Sequence, residues 1–188
     1  MSAPNIDKKI AKFAELNKEH HIFSKELEEF LGEAYYASPA SISIDLPGCF
    51  PGGLLSHSMT TAKYAVLIND LLPEGIKVDK SSLLKVVFLS QIGRTFMYTI
   101  STNEWQAKNR GIMYEYNESM RLSVGERSIM YATQHGVKLT DEEYQAILYS
   151  DKDDSDRQPR IFLNPISQLL KMGNQLAAME TIFKKDGK

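Results

Sequence analysis

A chain of 188 residues, 43% apolar and 24% charged, is long enough to enclose one full hydrophobic core and has the make-up of an ordinary folded domain. Its 22 basic residues against 24 acidic ones leave a net charge of −2, which excludes a general electrostatic drive toward nucleic acid or an anionic membrane surface. Cys49 is the single cysteine, so no internal disulfide can form, and no apolar run reaches the roughly 18–20 residues of a bilayer span.

The opening residues carry no apolar stretch of the signal-peptide kind, and a cytoplasmic protein is expected. Residues 6–19 place Ile6, Ile10, Phe13 and Leu16 on one stripe of an amphipathic helix. Ser24 is a candidate cap for a second helix carrying Leu27, Phe30 and Leu31 and ending near Gly32. Pro39, Pro47, Gly48, Pro51, Gly52 and Gly53 make residues 36–52 an ordered loop. Helical patterning returns from Leu54 to Leu72, stopping before Pro73, and again from about Ser81 to Ile92, with Gly93 as its terminator.

Phe96–Ile100 and Ile112–Tyr116 read as the strands of a small hairpin around a polar, Asn-containing stretch. Helices follow near 124–134, after Ser123; at 141–150, with the capping box Thr140-x-x-Glu143; and at 165–183, with Pro165 in the first turn. Asp151–Arg160 reads as a charge-rich linker. The fold class is mainly all-α, a helical bundle with one β-hairpin near residues 96–116.

Few residues stand out for chemistry. His57, at the head of a helix, is more often structural than a ligand when taken alone. The run Asp151–Asp156 fails as a calcium loop, because Asp156 and Phe162 stand where glycine and glutamate are needed. His20 and His21 are adjacent and point about 100° apart on a helix, so they cannot form a metal pair. Nucleotide-binding glycine motifs, Cys-x-x-Cys and Gly-x-Ser-x-Gly are all absent. Trp105, in the hairpin loop, is either a partner-contacting anchor or a folded-back indole. The aromatic residues lack the spacing of a base-stacking surface, and nucleic acid is not an expected partner.

Collinear stretches nevertheless resemble the small stand-alone histidine–aspartate (HD) phosphohydrolases of bacteria and phages. Tyr35-Tyr-Ala-Ser-Pro-Ala-Ser41 through Pro51-Gly-Gly-Leu-Leu-Ser-His57 looks like that family's entry loop and first ligand histidine. Val87-Phe-Leu-Ser-Gln-Ile-Gly-Arg94 is similar to the helix that normally reads Leu-Leu-His-Asp-Ile-Gly-Lys. Tyr114-Glu-Tyr-Asn117, Val124-Gly-Glu-Arg-Ser128 and Leu139-Thr-Asp-Glu-Glu143 resemble its hairpin strand and two helix starts. Gln168-Leu-Leu-Lys-Met-Gly-Asn-Gln-Leu-Ala177 resembles its last ligand-bearing helix.

The resemblance implies a single globular unit, in which N-terminal helices (1–34) pack on a degenerate HD domain (35–183) followed by a short tail (184–188). It also implies metal-dependent phosphate-ester hydrolysis in the family, where the ion acidifies a bound water. Carried over residue by residue, the former metal-ligand positions are His57, Ser90, Gln91, Val124, Ser150 and Asn174, and only His57 remains a ligand type. No catalytic residue, metal or cofactor is therefore expected, and the protein reads as a pseudoenzyme.

Two pictures of the old pocket follow. Either it is filled, with Ser90, Gln91 and Asn174 satisfied between helices, or it stays open and is lined by His57, Gln91, Arg94, Lys171 and Asn174, suited to an anion. The function expected first is binding of a protein partner in a regulatory role, in the host cytoplasm if the chain is phage-encoded; the alternative is metal-free binding or sequestration of a nucleotide in the former substrate pocket. A residual hydrolase would need Asp45 and Glu126 as substitute ligands.

Overall fold

The computed structural model describes residues 6–117, 121–152 and 163–186. Among these the chain forms helices α1 (Ile6–His20), α2 (Lys25–Ala37), α3 (Gly53–Leu71), α4 (Lys80–Leu89), α5 (Glu104–Arg110), α6 (Val124–Gln134), α7 (Asp141–Leu148) and α8 (Pro165–Asp186), with strands β1 (Tyr98–Ile100) and β2 (Tyr114–Tyr116). The fold is mainly helical with a two-stranded antiparallel hairpin, as the hydrophobic periodicity indicates. No described helix is long and apolar enough to cross a membrane.

The N-terminal helices belong to the main core. Phe13 of α1 is fully buried, with its ring 5.1 Å from Phe23, 5.8 Å from Tyr35 and 4.8 Å from Phe88. These tilted and edge-on arrangements suit aromatic quadrupoles and add to the burial of apolar area. His20 closes α1, its Nδ1 lying 2.9 Å from Ser81 Oγ, while His21 adopts a left-handed φ of 50° in the turn that follows.

The Ser24 side chain caps α2 by accepting from Leu27 N, and its hydroxyl donates to the His135 carbonyl at the far end of α6. Contrary to the sequence expectation, α2 does not stop at Gly32. That glycine takes φ 49°, ψ −145°, and the helix resumes through Ala37. The pull is the core itself: Leu27, Leu31 and Tyr35 recur every four residues and are all buried, so one non-helical residue costs less than exposing Tyr35. The following loop accordingly starts at Ser38.

Helix α4 runs through the middle. Leu83, Leu84, Val86, Val87, Phe88 and Leu89 are all buried, which leaves little of its surface for water. It ends at Leu89, earlier than the expected Ile92, because Ser90 Oγ donates back to the Val87 carbonyl and the chain tightens into a 3₁₀ turn at Ile92–Arg94. Gly93 in that turn abuts α6: a Cβ there would lie 2.3 Å from the Val124 carbonyl oxygen. Helices α3 and α8 lie along one another, and Gly173 sits against the Thr61 carbonyl where a Cβ would approach to 2.9 Å.

The hairpin is shorter than its β-friendly segments. Its register pairs Tyr98 with Tyr116, Thr99 with Glu115 and Ile100 with Tyr114. The intervening stretch is not simply a polar loop, as expected, but carries α5, capped when Asn103 Oδ1 accepts from Gln106 N and closed by Gly111 at φ 62°. The loop after α2 is fastened to the hairpin arm by main-chain bonds: Ile44 N to Gly111 O at 2.9 Å, and Met113 N to Ile42 O at 2.8 Å.

Both α6 and α7 begin with complete capping boxes, Ser123 with Glu126 and Thr140 with Glu143. Glu143 is only 3% exposed and also receives Lys85 Nζ and Ser82 Oγ, each at 2.8 Å, so one carboxylate joins α4 to α7. Of the charge-rich linker only Asp151 and Lys152 fall in the described portion. The remainder, including Asp156 and Phe162 of the rejected calcium loop, lies outside the described residues, as do residues 187–188 of the tail.

Candidate functional site

Gly52, with φ 79°, turns the chain into α3, and Gly53 passes so close to Gly48 that a Cβ would lie 1.9 Å from its carbonyl oxygen. Only glycine permits that crossing. The approach places His57 one turn into α3, on the wall of a cavity of about 400 Å³. Gln91 and Arg94 enter from the turn after α4, Tyr98 and Tyr116 from the hairpin, Ser150 and Asp151 from the segment after α7, and Asn174 and Ala178 from α8. Ser41, Leu46 and Pro47 of the fastened loop complete the side opposite. The cavity is therefore open rather than filled.

Its polar wall is a chain of hydrogen bonds. Thr61 Oγ1 donates to Asn174 Oδ1 at 3.0 Å, and Asn174 in turn hydrogen-bonds His57. Arg94 Nη1 donates to Gln91 Oε1, while Gln91 Nε2 faces Ser90 Oγ at 3.3 Å. Arg94 Nε is buried and has no hydrogen-bond partner among the described residues. A buried guanidinium nitrogen left without an acceptor is costly, and it marks where an acceptor from outside would be stabilised.

The electrostatics follow from this packing. Burial above all, with the Arg94 cation acting in the same direction and the bond to Asn174 opposing both, pushes the His57 imidazole down to about 4. His57 is thus neutral at physiological pH. Burial raises the Tyr98 phenol, with the Arg94 cation working in the opposite direction. Asp151 is the carboxylate among the lining residues, and its Oδ2 already accepts the Val124 amide at 3.0 Å.

Of the former metal-ligand positions inferred from the sequence, the structure brings His57, Gln91, Ser150 and Asn174 together around this cavity. Ser90 and Val124 are not on its lining. Ser90 is fully buried behind Gln91, with its carbonyl accepting from Ser128 Oγ, and Val124 is tucked into the first turn of α6. Lys171, expected in the pocket, does not line it either. The cavity faces the Asn174–Ala178 turn of α8, and Lys171 sits one turn back along that helix.

A hydrolytic metal would need several carboxylates and neutral imidazoles converging on one point. Here one imidazole and one carboxylate, Asp151, are accompanied by two amides, serine and tyrosine hydroxyls and a guanidinium, and among the described residues no three His, Cys, Asp or Glu side chains gather to hold an ion. The residues present do not fit the family's metal. Nor do the substitutes considered from the sequence reach the site. Asp45 is exposed in the loop beyond Ser43, and Glu126 is exposed in its capping box, where the Ser123 amide holds its carboxyl below the usual range.

Sequence reasoning missed the tyrosine pair. Tyr98 and Tyr116 are cross-strand partners with ring centroids 5.4 Å apart, and their matching positions in the two β-friendly segments were the available signal. Trp105 lies away from the cavity lining, on α5. It is 59% exposed, with the Arg110 guanidinium 5.2 Å from its ring centroid. Comparison of the chain with protein-family models, curated proteins and solved structures gives no match.

Proposed function

We propose that this protein descends from the HD phosphohydrolases, has lost their metal chemistry, and works by binding a small anionic ligand, such as a nucleotide phosphate, in the cavity beside Arg94. The observation that carries this reading is the buried, unpartnered Nε of Arg94 on the wall of an open cavity whose neighbouring polar groups, His57, Gln91 and Asn174, are uncharged. A volume of about 400 Å³ lies within the range of small-molecule sites, and the mix of Leu46, Pro47 and the tyrosines with a few converging polar groups is the usual make-up of such sites. Convergence of His57, Gln91, Ser150 and Asn174 from distant parts of the chain supports the HD ancestry.

The test is calorimetric titration with a panel of nucleoside phosphates in the presence of a chelator. Binding is expected without metal and lost in Arg94→Ala. A flat response across the panel, or affinity untouched by Arg94→Ala, refutes the proposal.

A second reading, a protein-contact role in regulation, rests on exposed apolar side chains of the hairpin arm and the loop fastened to it. Trp105 is 59% exposed, Ile100 77%, Ile44 49% and Met113 42%. Affinity capture with the native chain and with Trp105→Ala decides it: a stoichiometric partner lost in the variant supports it, and no partner counts against it.

A further inference from the structure

Tyr116 lines a second cavity as well as the first. This second space, about 740 Å³, lies beyond the end of the hairpin and is bounded by Met97, Asn117, Arg121, Leu122, Arg127 and the first turn of α6. The sheet closes here, where Asn117 N donates to the Met97 carbonyl at 2.8 Å. The partition between the two cavities is therefore the Tyr116 side chain, which is itself 54% exposed.

The charge on the far side of that partition is positive. Arg121 and Arg127 face Glu126 there, and the Glu126 carboxylate is already engaged by the Ser123 amide at 2.8 Å. On the near side stand Arg94 and the Asp151 carboxylate, which is already engaged by the Val124 amide at 3.0 Å. The tyrosine paired with Tyr116 feels both sides, since the charges of Arg94 and Arg127 both act on the Tyr98 hydroxyl. In a chain whose net charge is −2, cations flanking one pair of aromatic rings form a local pattern that the overall composition does not dictate.

We infer that the two cavities form one bipartite site, and that its ligand is an elongated dianion whose flat central part lies against Tyr116, with one anionic group at Arg94 and the other at Arg121. This deepens the binding function proposed above and rests on it. An aromatic wall accepts a flat or sugar-like spacer by stacking and apolar contact, while each guanidinium takes an oxyanion through charge-assisted hydrogen bonds. Two tethered anionic groups gain because the second binds at the high effective concentration set by the spacer.

The probes are phenylphosphonate, with one anionic end, and 1,4-benzenediphosphonate and 4,4′-biphenyldiphosphonate, with two. They are titrated calorimetrically against the full chain in chelator. At least one bisphosphonate is expected to bind about tenfold or more tighter than phenylphosphonate. The bisphosphonate gain over phenylphosphonate should vanish in Arg121→Ala, and Tyr116→Ala should weaken all three. Arg121 is exposed, so its variant should keep the native melting temperature. If phenylphosphonate binds through Arg94 but neither bisphosphonate gains, or the gain survives Arg121→Ala, the bipartite site is refuted and the single-cavity reading stands. If no probe binds, both are overturned.

Discussion

Replacing His57 with glutamine should remove a pH-dependent loss of stability that the native protein undergoes between pH 6.5 and about 4. In the unfolded chain the imidazole titrates near its ordinary value of 6.5, whereas in the fold burial and Arg94 hold it down to about 4. Between those two values the unfolded chain takes up a proton that the folded chain refuses. Stability is therefore complete above 6.5, falls as the pH drops through the window, and loses nothing more from this group below about 4. The loss amounts to about 3 kcal/mol, a large share of the roughly 5–15 kcal/mol that holds a domain together.

Urea unfolding of the native chain and of His57→Gln, from neutral pH down to about pH 4, measures it directly. Carboxylates that titrate near the lower limit contribute equally to both proteins, so the difference between the curves isolates His57. The His57 Cε1 proton resonance supplies the pKa independently, and Arg94→Gln should move it upward. Parallel stability curves for the two proteins, or a His57 resonance titrating near 6.5, would show that His57 is not buried beside Arg94.

Other perturbations address the scaffold. Lys85→Met strips the cation from Glu143, which is 3% exposed, and should cost about 3 kcal/mol in urea unfolding, largely recovered when Glu143 is also made leucine; no cost would show the pair to be inert. Phe13→Ala empties the centre of the aromatic cluster and should cost about 4 kcal/mol, read as a lowered melting temperature. Gly93→Ala forces a Cβ to within 2.3 Å of the Val124 carbonyl oxygen, so it should destabilise the fold by about 1–3 kcal/mol and weaken anion binding by shifting the adjacent Arg94. Unchanged calorimetric affinity in that variant would separate the turn from the site.

Helix positions were legible wherever a local signal agreed with tertiary packing. The Ser24 cap, the Thr140–Glu143 box and Pro165 at the start of α8 each mark a start that the structure keeps. Gly32 misled because a glycine is a terminator only when nothing beyond it must be buried, and Tyr35 must be. Helix α5 was hidden in a polar stretch with no buried face to betray it, since none of its residues is buried. In the candidate site, His57, Gln91, Arg94 and Asn174 could be named in advance because each lies in a helix or turn with recognisable flanks. The tyrosines could not, because the strand pattern tells which residues share a face but not which face meets the cavity. Lys171 was misplaced for the related reason that helical spacing fixes direction around an axis but not how far along it a cavity extends.

The main-chain bonds that fasten Ile42 and Ile44 to the arm at Gly111–Met113 divide responsibility at the cavity mouth. Its width is held by backbone atoms, which every residue type except proline supplies. The side chains at Ile44 and Met113 are half exposed and are not on the cavity lining. They can therefore be exchanged without loosening the frame, and the surface there can drift, or be redesigned, while the geometry beneath is inherited intact.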